Sequence, residues 1–163
     1  PIKGGNAIII IDDLKVGYHT WMDNNNLLLF VLEDTNRNAL YHYNVTTKTS
    51  SRITDAVGRS LHKIPGSNAF SFIKKSGDRW MINKLDKNSR KISVLRSTLP
   101  KREDITWTKN GLIISSDGKD LFYTRPDKTG WKKISVLPGI SLRNITRLAI
   151  NNENTKLAVV ISE

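Results

Sequence analysis

The sequence predicts an all-β chain folded as blades of a β-propeller, each blade being four antiparallel strands. Three observations carry this. One device occurs four times: an apolar strand, a tight turn drawn mostly from Gly, Asn and Asp, and an apolar return strand. Its clearest copy is Ile105-Thr106-Trp107, the turn Thr108-Lys109-Asn110-Gly111 and the return Leu112-Ile113-Ile114. The apolar residue before each turn is Trp21, Ile64, Trp107 or Ile150, each 43 residues after the last. Between these points the chain alternates with period two, as in Leu40-Tyr41-His42-Tyr43, and no stretch carries a capped helical stripe. Four short strands in a unit of roughly 40–45 residues is the pattern of a propeller blade.

Taken in order, residues 1–14 hold an outer strand, residues 7–11, of a preceding blade. Three complete blades are expected at 19–57, 62–99 and 105–138, and the inner half of a last blade at 144–163. The inner strands are 19–23, 62–65, 105–108 and 147–150, and the second strands 27–32, 69–73, 112–114 and 156–161. Polar turns at 33–38, 75–78 and 116–119 lead to third strands at 39–45, 79–85 and 120–124. The fourth strand reads Lys-Ile-Ser-Val-Leu at 91–95 and again at 133–137. Trp21, Ile64, Trp107 and Ile150 are expected to take equivalent buried positions between blades.

A propeller ring has about 4–8 blades, and its closure removes exposed sheet edges. Three blades and two partial ones do not close well alone. The chain is therefore expected to be the C-terminal part of a longer propeller, with the missing N-terminal half as its first partner.

Composition narrows the class. The 163 residues suffice for one domain with a sizeable core, and 38% hydrophobic with 25% charged residues suits a water-exposed globular chain. No apolar run approaches the roughly 20 residues of a membrane-spanning helix. Cysteine is absent, which excludes disulfides and cysteine-ligated zinc. The net charge is +11, and residues 74–133 alone hold 16 Lys/Arg against 7 Asp/Glu. This excess reads first as lysines on exposed strands, where they discourage edge-to-edge association, and second as a site for a polyanion. A nucleic-acid partner is not expected.

The segments VGYHTW (16–21), GRSLHKIPG (58–66), LPKREDITWTKNG (99–111) and NITRLAINNENTKLAVV (144–160) together resemble the C-terminal half of TolB-like, WD-repeat-like bacterial β-propeller proteins. The turn that these proteins usually write as Ser-Pro-Asp-Gly differs here, reading Met22-Asp23-Asn24-Asn25 in the first repeat and Asn151-Asn152-Glu153-Asn154 in the last. The Gly and Asn residues able to adopt positive φ are retained. The resemblance implies a six-bladed ring, export to the periplasm or the cell surface, and binding of protein partners in the cell envelope.

Chemistry is expected where the chain leads into each inner strand, because those loops gather at one mouth of the central channel. The leading segments are polar in every repeat and supply Tyr18, His19, Arg59, Ser60, His62, Glu103, Asp104 and Arg147. His19 and His62 lie two residues before Trp21 and Ile64 and read either as metal ligands or acid/base groups, or as hydrogen-bonding partners of loop carbonyls between blades. Arg59 and Arg147 read either as an anion clamp or as ion-pair partners of Glu103 and Asp104. No phosphate-binding glycine loop, metalloprotease helix motif or nucleophile elbow is present, and no motif implies a cofactor.

These readings favour a non-catalytic binding scaffold of the cell envelope that engages a protein, peptide or saccharide at the channel mouth. One alternative is a metal-dependent lyase or hydrolase, or the propeller gate of a peptidase, using His19 and His62. A second is polyanion binding through the basic blades.

Overall fold

The computed structural model describes residues 4–134 and 142–162. Every regular element among them is a strand. The first sheet is β1 (Val16–Trp21), β2 (Asn26–Asp34), β3 (Arg37–Asn44) and β4 (Thr49–Asp55), hydrogen-bonded in that order. The second is β5 (His62–Lys63), β6 (Ala69–Ser76), β7 (Arg79–Asp86) and β8 (Ile92–Ser97). The third is β9 (Ile105–Trp107), β10 (Ile113–Ser116), β11 (Leu121–Thr124) and β12 (Lys132–Ile134). A two-stranded sheet, β13 (Ile145–Ile150) with β14 (Leu157–Ile161), follows. All pairings are antiparallel between sequence neighbours. The chain is thus a run of β-propeller blades. The last three residues of the expected strand 133–137 lie outside the described residues.

Local chemistry sets the hairpins. The turns between second and third strands place Asn36, Gly77 and Gly118 at φ of 66°, 52° and 104°, a region that asparagine and glycine enter at low cost. Between third and fourth strands, Asn44 Oδ1 accepts the amides of Thr46 and Thr47. Asp86 Oδ1 does the same for Asn88 and Ser89. Such side-chain turns end a strand by offering its backbone another partner.

The core lies between sheets. β2 is a near-continuous apolar run because both of its faces are covered. Leu28 and Phe30 join Leu40, Leu61, Phe70, Phe72 and Leu85 between the first and second blades. Leu27, Leu29 and Val31 form a cluster with Tyr43 on the opposite face. Ile73 and Ile82 meet Ile105, Trp107 and Ile113 between the second and third blades. Ile114 and Leu121 meet Ile145 and Leu148 between the third and fourth. Each fully buried large side chain contributes roughly 1.5–3 kcal/mol of transfer free energy, an upper bound because the unfolded chain is partly compact.

Three expectations need correction. Residues 7–11 are not a strand: residues 4–15 join no ladder, and Ile8 and Ile9 are 82% and 83% exposed. Instead the segment is a strap over the outer face of the first blade, where Ile11 and Leu14 pack on the Leu27–Leu29 cluster and Tyr43 Oη donates to the Ile10 carbonyl.

Trp21 is not buried between blades but 46% exposed, whereas Trp107 is 7% exposed. Both stand on the same face of their strands, since Trp21 pairs with Leu27 and Trp107 with Ile113. That face of the first sheet has no blade packed on it.

The third correction concerns register. Opposite the start of each second strand stand Trp21 (on Leu27), Lys63 (on Phe70), Trp107 (on Ile113) and Ile150 (on Leu157). The structural equivalent in the second blade is therefore Lys63, not Ile64. A one-residue offset turns a strand side chain to the other face, and Ile64 accordingly packs toward the third blade.

Candidate functional site

The four first strands β1, β5, β9 and β13 surround one channel, since each contributes lining residues to both of its mouths. The mouth on the side of the leading loops holds a cavity of about 190 Å³, lined by Tyr18, His19, Arg59, Ser60, His62, Asp104 and Arg147 over a floor of Leu61, Ile105 and Leu148. Seven of the eight residues singled out from the sequence therefore converge on one space. Glu103 stands behind it.

The loops are shaped to deliver these groups. Ala56 takes φ of 47°, Val57 bridges to Lys74, and the Gly58 amide donates to the Ile73 carbonyl at 2.8 Å. This turns the chain so that Arg59 points to the neighbouring blade. Gly58 is required by crowding: a Cβ there would lie 3.0 Å from Glu103 Oε2 and 3.1 Å from Ile73 Cβ. Ser60 is buried, and its Oγ accepts the Ile105 amide at 3.1 Å. Ser115 Oγ donates to the Asp104 carbonyl at 2.9 Å, which fixes the carboxylate's backbone.

The charges form one connected set. Arg59 meets Asp104 with two parallel bonds, Nε to Oδ1 at 3.1 Å and Nη2 to Oδ2 at 2.6 Å. Its Nη2 also donates to the Thr146 carbonyl at 3.0 Å. Glu103 accepts from the Arg59 amide at 3.3 Å and pairs with Lys75 Nζ at 2.5 Å. Arg147 donates from Nη1 to the Thr146 carbonyl at 2.6 Å and from Nη2 to the Tyr18 hydroxyl at 2.7 Å. Tyr18 in turn rests edge-on against Phe30, with ring centroids 5.7 Å apart. Side chains of four blades are thereby held in place around the mouth. Of the two readings of the arginines, the geometry is that of pairing between blades: both guanidinium groups already have protein acceptors.

The two histidines sit differently from their sequence positions. His19 pairs with Leu29 and His62 with Ser71, which puts them one residue out of phase and on opposite faces of equivalent strands. Both border the cavity. Burial pushes the His62 imidazole below its usual range, while the Ile105 backbone and the Asp104 charge pull the other way. Among the described residues no three His, Asp or Glu side chains converge to hold a metal ion. Other polar and aromatic groups serve the framework. His42 shares a 2.7 Å hydrogen bond with Asn26 Oδ1, Trp80 lies under Lys75 at 4.7 Å, and Trp131 under Arg96 at 4.8 Å.

The opposite mouth, on the side of the tight turns, was not anticipated. It holds a cavity of about 550 Å³ lined by Thr20, Leu61, His62, Lys63, Pro65, Thr106, Trp107, Lys109, Ile150, Asn151, Asn152 and Asn154. The sequence carried one signal of it, the lysine at 63 where three other repeats have Trp, Trp and Ile. That signal was hidden by the apparent 43-residue spacing to Ile64.

No protein-family model matches the chain, and no curated protein sequence matches it. Solved structures do share its fold. It superposes on TolB from Acinetobacter baumannii with a TM-score of 0.61 at 17% identity, over 91% of this chain and 38% of that one. It also superposes on a chain of a nidogen/laminin complex with a TM-score of 0.56 at 14% identity, over 85% of this chain and 53% of the other. The chain thus spans well under two thirds of either structure, and the likeness establishes the propeller fold.

Proposed function

We propose that the chain belongs to a longer, six-bladed β-propeller that serves as a non-catalytic binding scaffold, engaging a protein, peptide or saccharide partner at the loop-side mouth. One observation carries the reading: residues far apart in sequence, drawn from four blades, converge on a single polar cavity, and their mutual ion pairs hold them in fixed positions. Pre-ordered side chains lose little entropy on binding, which suits recognition. The exposed groups of the rim, Tyr18 and His19, supply an aromatic face and a hydrogen-bonding ring to a partner. The resemblance to TolB-like propellers supports a location in the periplasm or at the cell surface and a partner in the cell envelope.

The test is partner capture from native envelope extract by the protein and by Tyr18→Ala/His19→Ala, which alters the rim without touching the Arg59–Asp104 pair. The reading expects a discrete partner retained by the parent protein and lost by the variant. Equal capture by both would remove the loop-side mouth from consideration. Turnover of envelope substrates abolished by His62→Gln would replace the scaffold with an enzyme.

A further inference from the structure

We propose that the turn-side mouth of the channel is a second site, and that it takes an acidic peptide segment. The cavity is about 550 Å³, within the range of pockets that enclose small ligands, and its lining contains two lysines and no aspartate or glutamate. Lys63 and Lys109 form no ion pair among the described residues. The acid in the lining turns, Glu153, accepts from the Asn151 side-chain Nδ2 at 2.9 Å and is not part of the lining. At the loop-side mouth, by contrast, the cations are matched: Arg59 by Asp104 and Lys75 by Glu103. The turn-side mouth thus sets two lysines around one cavity with no acid in its lining.

The position of Lys63 strengthens this. It occupies the register place filled by Trp21, Trp107 and Ile150 in the other blades, so the second blade replaces an apolar side chain with a cation at the channel mouth. At that place an ammonium group is positioned to meet a ligand carboxylate.

The rest of the lining selects the ligand's class. The Asn152 amide and the Asn154 amino group have no hydrogen-bond partner among the described residues, while Asn154 Oδ1 is held by the Lys109 amide at 2.9 Å. The Asn152 carboxamide and the Asn154 Nδ2 group, beside the hydroxyls of Thr20 and Thr106, offer the donors and acceptors that peptide groups need. A sugar or a base would want an open aromatic face, yet Trp107 is buried and its indole N–H donates to Ser71 Oγ at 2.8 Å. A phosphate would be served by a guanidinium fork, and no arginine lines this mouth. Lysine ammonium groups between carboxamides fit carboxylates on an extended peptide.

The experiment is fluorescence polarisation with a labelled, capped penta-aspartate peptide, set against a penta-asparagine peptide of the same length. Saturable binding of the acidic peptide alone is expected. Lys63→Gln/Lys109→Gln should weaken it about tenfold, the scale of two partly exposed ion pairs. Lys48→Gln/Lys119→Gln, equal in charge change but remote from the cavity, should leave affinity unaltered, which separates a site from the general attraction of a chain of net charge +11. Equal weakening by both double variants, or equal binding of the neutral peptide, would overturn the proposal. So would binding of a hexauronate oligosaccharide in place of the peptide. Asp104→Asn at the loop-side mouth should not change the peptide's affinity; a loss there would move the peptide to the other mouth and refute this assignment while leaving the scaffold reading intact.

Discussion

Arg147, on the first strand of the last sheet, donates to the hydroxyl of Tyr18 on the first strand of the first sheet, across 2.7 Å and 129 positions of sequence. The same guanidinium lies 5.7 Å from the Tyr18 ring centre. This contact joins the first and last blades directly, while Arg59 spans from the second blade to Asp104 of the third and the Thr146 carbonyl of the fourth. Tyr18→Phe keeps the ring and removes the hydroxyl, so a double-mutant cycle with Arg147→Gln isolates the hydrogen bond. A coupling of about 0.5–1.5 kcal/mol is expected, reduced by partial exposure. A coupling indistinguishable from zero in denaturant unfolding would show that the two blades are not linked this way.

Trp107 and Trp21 share a register position and differ in what faces them. Trp107→Ala should cost about 3–5 kcal/mol, and it also leaves the fully buried Ser71 hydroxyl without its partner. Trp21→Ala should cost less than about 1 kcal/mol, because half of the ring is already in water. Equal losses in urea unfolding would mean that another segment covers Trp21 in solution.

Gly58→Ala tests how tightly the loop before β5 is packed. Its methyl group would press on Glu103 Oε2 and Ile73 Cβ, so either Glu103 withdraws from Lys75 or the loop shifts. The expected cost is about 1–3 kcal/mol. Gly130→Ala, where no atom lies within 4 Å but φ is 72°, isolates backbone strain alone and should cost about 1 kcal/mol. A neutral Gly58→Ala would show the loop to be free to move.

Acid should weaken the fold in two stages. Burial holds His62, and burial together with Arg90 holds His42, below the usual imidazole value of 6.5. Above pH 6.5 both folded and unfolded chains carry these rings neutral. As pH falls through 6.5 the unfolded chain takes up protons that the fold resists, so stability drops, by at most about 1.4 kcal/mol per pH unit for each ring. A second loss begins below about pH 4.5 as carboxylates protonate. Asp23, held low first by Lys87, and Asp86 and Asp117, held low first by backbone amides, lose charge that is favoured only in the fold. Denaturant midpoints at pH 7.5, 6.0 and 5.0 should therefore decline in the parent and stay nearly level in His42→Gln/His62→Gln. An unchanged slope in the double variant would assign the upper stage to other groups.

Much of the architecture was legible because blade strands announce themselves locally. A both-faces-buried run such as residues 27–31, an asparagine or glycine at each hairpin, and a polar segment before each first strand are all properties of neighbouring residues. The convergence of Tyr18, Arg59, Asp104 and Arg147 was legible for the same reason: a repeat that places one polar segment per blade at one end of the channel places them all there.

What the sequence alone determined is thus the strand order, the blade repeat and the polar mouth, which follow from spacing and alternation within each unit. Tertiary structure decided the rest. Register depends on which atoms pair across a hairpin, so the loop between His62 and Phe70 put Lys63, rather than Ile64, opposite Phe70 and turned a cation to the turn-side mouth. Burial depends on what stands opposite, so Trp107 is enclosed by the second blade while Trp21 meets solvent. An apolar stretch becomes a strand only where it meets a partner, and residues 7–11, which join no ladder among the described strands, are held through Ile11 and the Ile10 carbonyl against the first blade. Each of these outcomes rests on contacts between segments distant in sequence, whose free energy no local pattern encodes.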